Sequence, residues 1–173
     1  MSKTKADTAQ EEEARPKDYP GFAHRLTLKI PLQTPSNNEI KEMHHFVYKS
    51  LRQKWKKLLW VAAGGRGRTP IGKSWIVIER YCAGGLDWDN VYGGLKPVLD
   101  CLVVPTKRNP DGLSFVENDN PQSMPFPPLV VQRPAPRGEG KTIIHIYEIL
   151  NEQNPYPQHV FAPGKNYEGD VAI

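Results

Sequence analysis

The sequence predicts an α+β (mixed α/β) domain on a small mixed sheet with two main helices, in the order β-α-β-α-β-β. Two observations predict this class: four short apolar or alternating segments typical of strands, and two segments with apolar residues at helical spacing between them. The length of 173 residues suits one domain with tails. The longest apolar runs fall far short of the about 20 residues that span a bilayer as a helix, so no membrane-spanning helix is expected.

The first strand is predicted from alternation. Leu26, Leu28 and Ile30 alternate with polar residues, and the pattern ends at Pro31. This period of two is typical of a strand with one buried face.

The first helix is predicted from a capping box. Ser36 is followed three residues later by Glu39, the pattern that satisfies the free N–H groups at a helix start. Glycines at 64, 65 and 67 are expected to end the helix in a flexible basic turn. One apolar stripe at steps of three and four residues supports the helix: Ile40, Met43, Val47, Leu51, Trp55 and Leu58.

The remaining elements follow the same logic. Residues 74–82 are aromatic and β-branched and predict a central strand. Residues 91–102 have a helical apolar pattern, in which Pro97 either kinks the helix or marks a start near Lys96. A long polar connection with six prolines covers 105–128, and the last strands are expected at 129–132 and 142–150.

The domain boundaries are predicted from composition. Residues 1–22 are expected to form a disordered leader, 23–150 the folded domain, and 151–173 an appended proline-containing tail. The N-terminal residues have no apolar signal-peptide core, and the two cysteines are too few for a disulfide scaffold. A reducing, cytoplasmic setting is the simplest inference, with Cys82 and Cys101 as buried apolar residues.

Positive charge is concentrated in one stretch. Residues 41–73 carry nine basic side chains and one acidic one, whereas the whole chain has a net charge of only +4. Such a cluster is typical of nucleic-acid binding, although a solvated basic helix face explains it equally well. The candidate DNA contacts are Lys49, Arg52, Lys56, Arg66, Arg68 and Lys73. Trp55, Trp60 and Trp75 are interpreted as core aromatics rather than as base-stacking platforms.

Acidic residues supply the candidate chemistry. In an extended segment, Asp87 and Asp89 point to the same side and can share one hard cation, Mg²⁺ or Mn²⁺. An Asp before a helix is also a routine N-cap. A second acidic group at 117–120 would complete a divalent-metal pocket if its loop folds back onto that strand. Lys96 is placed to neutralise a phosphate oxygen, or alternatively to form an i,i+4 ion pair with Asp100.

Five stretches together resemble a known family. Residues 87–90, 93–97 and 99–102 follow the D-x-D-N, downstream Lys and D-x-L order of the core motif of RusA-like Holliday junction resolvases. Residues 118–121 are similar to the family's later Asp-Asp-x-x segment, and 35–38 to its Pro-Ser-x-Asn after the first strand. Asn118 stands where the family has the first Asp of its acidic pair.

The resemblance implies a homodimeric, Mg²⁺-dependent endonuclease that cuts four-way DNA junctions by paired nicks, in the cytoplasm of a bacterial cell and with a phage or prophage gene as one source. By position, Asp87, Asp89 and Asp119 are the metal-binding catalytic carboxylates, and Lys96 matches the family's lysine. The supporting residues are Asn90, Asp100 and Glu117. A non-catalytic branched-DNA-binding protein and a less selective flap or branch nuclease are the alternatives.

Overall fold

The computed structural model describes residues 16–151, and within them it confirms the α+β class, with four strands and four helices. No helix in this part of the chain is long and apolar enough to cross a membrane. In chain order the elements are β1 (Phe22–Ile30), α1 (Asn37–Glu42), α2 (His45–Ala62), β2 (Ser74–Cys82), α3 (Trp88–Gly93), α4 (Lys96–Leu102), β3 (Leu129–Pro134) and β4 (Lys141–Ile149).

The four strands form one mixed sheet in the order β1-β4-β2-β3. β4 pairs antiparallel with both β1 and β2, whereas β2 and β3 run parallel. A parallel pair requires a crossover connection, and the chain between β2 and β3 supplies it through α3, α4 and the long polar segment. This crossover carries both acidic groups that the sequence singles out.

The main core lies between the sheet and the helices. It joins buried residues from strands and helices alike, including Leu28, Trp55, Ile76, Val98 and Ile144. A smaller aromatic cluster forms on the opposite face around Trp75 and Tyr147. Both cysteines are buried and unpaired, as predicted.

Each of the two predicted helices is in fact two helices. The backbone leaves helical geometry at Met43 and His44, whose ψ angles are 127° and 145°, so α1 ends and α2 begins within the predicted stripe. As a result Val47 is 55% exposed rather than buried. The predicted helix at 91–102 is divided into α3 and α4. Pro97 occupies the first turn of α4, which confirms the alternative of a helix start near Lys96.

The folded region begins earlier in the chain than the predicted boundary at residue 22. Phe22 is buried in the first strand, and the ring of Tyr19 packs edge-on against Trp75 with centroids 4.8 Å apart. The rest of the predicted leader, 1–15, and residues 152–173 of the predicted tail lie outside the described residues.

Asp111 anchors the long connection to α2. Its carboxylate is buried and accepts a hydrogen bond from Gln53 at 2.7 Å, and it ion-pairs with Arg52 at 3.2 Å and Lys56 at 3.5 Å. Arg52 also donates to the side chain of Asn109, and Lys56 donates to a backbone carbonyl at 3.3 Å. The loop is therefore held against the helix by one acidic residue with three partners.

Replacing Asp111 with Asn should lower the free energy of unfolding by about 2–3 kcal/mol, because the partly buried guanidinium of Arg52 loses its counter-charge. Urea unfolding measures this change. Glu42→Gln, an exposed carboxylate in α1, is the matched control and should stay within about 0.5 kcal/mol of wild type. Equal stability of Asp111→Asn and wild type would contradict the anchoring role.

Candidate functional site

The segment that leads into Asp87 is fixed to the sheet by a side chain of β3. The Gln132 amide accepts a hydrogen bond from the Leu86 N–H at 2.8 Å and donates to the Leu86 carbonyl at 2.7 Å. This two-point contact holds the backbone immediately before Asp87. Gln132 was not singled out by the sequence, since nothing local signals a partner 46 residues away.

The two carboxylates of the Asp87-x-Asp89 pair do not lie on one extended strand, so that geometric expectation was wrong. Asp87 has extended backbone angles (φ −65°, ψ 161°) and precedes α3, whereas Asp89 lies in the helix's first turn. Both side chains are exposed. Asp87 occupies the N-cap position but makes no side-chain capping bond; its carboxylate instead accepts a hydrogen bond from the Asn90 amide at 2.6 Å.

The segment 35–38 is brought directly onto this acidic turn. The Asn38 N–H donates to the Asn90 side-chain oxygen at 3.2 Å, so one asparagine links the N-terminal segment to Asp87. A Cβ at Gly94 would lie 1.9 Å from the Pro35 carbonyl oxygen, and a Cβ at Gly93 would lie 2.3 Å from Asn37 Cγ. Two motifs about fifty residues apart therefore form one surface, and the close approach requires glycine at both positions.

Contacts on either side hold the segment 35–38 in place. On one side Arg80, only 2% exposed, donates from Nε to the Thr34 hydroxyl at 3.1 Å and carbonyl at 3.3 Å. On the other side the predicted capping box is present: Glu39 N–H donates to Ser36 Oγ at 3.1 Å, and Ser36 N–H donates to the Glu39 carboxylate at 2.6 Å.

Lys96 forms the alternative ion pair that the sequence allowed. Its Nζ lies 2.5 Å from Asp100 Oδ1, and Asp100 is buried while Lys96 stays largely exposed. The hydrogen bond to Asp100 raises the pKa of Lys96 against the opposing effect of burial, and the charges of Asp100 and Asp119 raise it further. Burial also raises the pKa of Tyr48, which lies near the same pair.

The acidic group at 117–120 forms a local turn. Asn118 Oδ1 accepts from the Asp119 N–H at 2.8 Å, and Asn120 Oδ1 accepts from the Ser123 N–H at 3.0 Å. The Glu117 N–H donates to the Ile71 carbonyl at 3.0 Å, which ties this turn to the chain before β2. Asp119 is exposed, and its charge acts on Lys96.

The three-carboxylate pocket predicted from the sequence is not assembled in residues 16–151. No group of three or more His, Cys, Asp or Glu side chains there is placed to hold one metal ion. The charge of Asp119 acts on Lys96, whereas Asp87 contacts Asn90. The exposed pair Asp87 and Asp89 still fits Mg²⁺ in donor chemistry, since this ion commonly takes one or two carboxylates and keeps waters or substrate phosphates.

The predicted DNA contacts divide into two groups. Arg52 and Lys56 are engaged by Asp111, so their first role is structural and their selection as DNA contacts is not supported. The other four are exposed: Lys49 on α2, Arg66 and Arg68 in the following loop, and Lys73 before β2. Arg68 also donates to the Ala63 carbonyl at 3.3 Å. The sequence-based selection left out two further exposed lysines of α2, Lys54 and Lys57.

The site is therefore an exposed acidic turn after the central strand, backed by an N-terminal segment and flanked by a lysine paired with a buried aspartate. A scan against models of protein families and a search of curated proteins found no match.

Replacing Gly94 with Ala should lower the free energy of unfolding by at least about 2 kcal/mol, because the new methyl group would overlap the Pro35 carbonyl. Chemical denaturation measures the change. Gly84→Ala is the matched control: nothing lies within 4 Å of a Cβ there, and its stability should match wild type. Equal effects at both glycines would contradict the packing of 35–38 on the turn.

Proposed function

We propose that the chain is a RusA-like, Mg²⁺-dependent endonuclease that cuts branched DNA, with four-way junctions as the substrate. One observation carries the proposal: the Pro-Ser-x-Asn segment at 35–38 lies against Gly93, Gly94 and Asn90 beside Asp87. These are the separate stretches on which the family resemblance depends. Their convergence supports a shared role in one site.

Asp87 and Asp89 are the residues that would hold the metal. The bound ion would lower the pKa of a water and neutralise charge on the scissile phosphate. Asn90 orients Asp87 by donating to its carboxylate, and it is itself fixed by the Asn38 N–H. Because both carboxylates are exposed, a phosphate of the DNA backbone has access to them.

Lys96 supplies the positive charge of the site. Its ammonium is protonated at neutral pH, as in an ordinary lysine, and is attracted to a phosphate oxygen or a developing oxyanion. Asp100 positions this ammonium through the 2.5 Å ion pair. The charge of Asp119 also acts on Lys96 and favours its protonated form.

The exposed basic residues of α2 and the following loop bind the phosphate backbone, and affinity falls as salt rises. The shape of the junction, more than its base sequence, determines recognition. Paired nicks on opposed strands require two sites, so the functional unit is a homodimer.

Replacing Asp87 or Asp89 with Asn should reduce cleavage of a synthetic four-way junction by at least about 100-fold, because the carboxylate that places the cation at the phosphate is lost. Cleavage is followed on denaturing gels with Mg²⁺ or Mn²⁺, and EDTA should abolish it. Glu139→Gln is the matched control, because Glu139 is an exposed carboxylate in the turn between β3 and β4 and should leave cleavage unchanged.

Duplex and flapped substrates of the same sequence separate the enzyme classes. Symmetric nicks confined to the junction support the proposal, whereas comparable cutting of all three substrates indicates a less selective nuclease. Junction binding without cleavage by the wild-type protein would overturn the catalytic proposal and leave a branched-DNA-binding protein.

A further inference from the structure

A groove of about 420 Å³ lies along α2, within the size range of small-ligand sites, and no residue of the acidic turn lines it. Its lining combines an aromatic ring, an apolar side chain, two lysines and an amide: Trp60, Leu113, Lys56, Lys57 and Gln53. The groove plays no part in the metal chemistry described above.

Trp60 is not a core residue, in contrast to the interpretation from the sequence. Its side chain is 40% exposed, whereas Trp55 and Trp75 are fully buried. The chain turns sharply after it: Gly64 and Gly65 have φ angles of 79° and 64°, and the Gly65 N–H donates to the Trp60 carbonyl at 2.9 Å. A Cβ at Gly65 would lie 3.6 Å from the indole nitrogen, so the glycine-arginine loop passes beside the edge of the ring.

The helix that presents Trp60 is basic throughout. Residues 45–62 include five basic side chains and no acidic one. Arg52 and Lys56 are paired with Asp111, but among the described residues no carboxylate forms an ion pair with Lys57. The groove is therefore complementary in charge to a phosphate backbone that passes along α2.

Three other lining residues of the groove are held in place by contacts within the fold. Gln53 and Lys56 both contact Asp111, and the Leu113 N–H donates to the Cys101 carbonyl at 2.9 Å. These contacts hold the backbone of Leu113 and the side chains of Gln53 and Lys56, so three of the five lining residues are fixed by the fold.

We infer that this groove binds an unpaired nucleotide of single-stranded DNA, with its base stacked on Trp60 and its phosphate next to Lys57. An exposed aromatic ring on a basic surface is the arrangement by which proteins bind unpaired bases without sequence preference. The inference rests on the proposed function in assigning the nucleotide to DNA at a branch point. It gives that function a means of favouring distorted junctions over intact duplex.

The test is the binding of a short fluorescein-labelled deoxythymidine oligonucleotide, measured by fluorescence anisotropy without a metal ion. Trp60→Ala should weaken binding by about 10-fold or more, and Trp60→Phe should retain most of it because the stacking surface is kept. Lys57→Gln should reduce the slope of log affinity against log salt by about 0.7, the value for one lost single-strand phosphate contact.

Val61→Ala is the matched control, since Val61 is 65% exposed on the same helix but does not line the groove. It should bind the oligonucleotide as wild type does. If Trp60→Ala does not fold, the oligonucleotide affinity of Trp60→Leu is compared with that of Trp60→Phe instead. Three outcomes would each overturn the inference. The Trp60 variant that lacks the ring could bind the oligonucleotide as wild type does, or it could lose as much affinity for intact duplex as for the oligonucleotide. The third outcome is that the wild-type protein does not bind the oligonucleotide.

Failure of the inference is distinct from failure of the proposed function. Junction cleavage by wild type together with unchanged oligonucleotide binding by Trp60→Ala removes the stacking site alone. Trp60-dependent oligonucleotide binding without any cleavage removes the nuclease proposal and leaves a single-strand-binding groove.

Discussion

The candidate site depends on one close approach, that of the Pro35 carbonyl to the backbone of Gly94. Only glycine permits it, since a Cβ there would lie 1.9 Å from the carbonyl oxygen. Arg80 fixes the chain just before this contact through Thr34, and Asn38 extends it to Asn90 and so to Asp87. Without this packing the acidic turn would keep its residues but lose the support that orients Asp87.

A second constraint sets the basic side of the molecule. The buried carboxylate of Asp111 holds the long connection to α2 through Gln53, Arg52 and Lys56. Burying a carboxylate is costly unless it is paired, and here two of its three partners are basic side chains that would otherwise be available to DNA. Part of the positive charge therefore maintains the fold, and the exposed remainder is available to bind phosphate.

Local pattern was enough to predict much of the fold. The β-branched run at Ser74–Cys82, the helix start near Lys96 and the capping box at Ser36 all depend on neighbouring residues, and each is present as expected. The break between α1 and α2 has no glycine or proline to signal it in the sequence. It arises from tertiary packing, because α1 packs on α3 while α2 packs on α4. The contacts of Asp111 and Gln132 likewise depend on partners that are distant in the sequence. The exposure of Trp60 also depends on tertiary packing that a local pattern does not show. The separation of the two acidic groups could not be deduced either, because the path of a long loop determines where the second group lies.

The central claim is that the turn at 87–90 binds a divalent cation, and paramagnetic broadening tests it most directly. Small amounts of Mn²⁺ added to the ¹⁵N-labelled protein should selectively broaden the amide signals of residues 87–91 and of Asn38, which contacts Asn90. The Asp87→Asn and Asp89→Asn variants should abolish the effect, and excess Mg²⁺ should reverse it in the wild-type protein. Broadening centred elsewhere, or unchanged in both variants, would contradict the account.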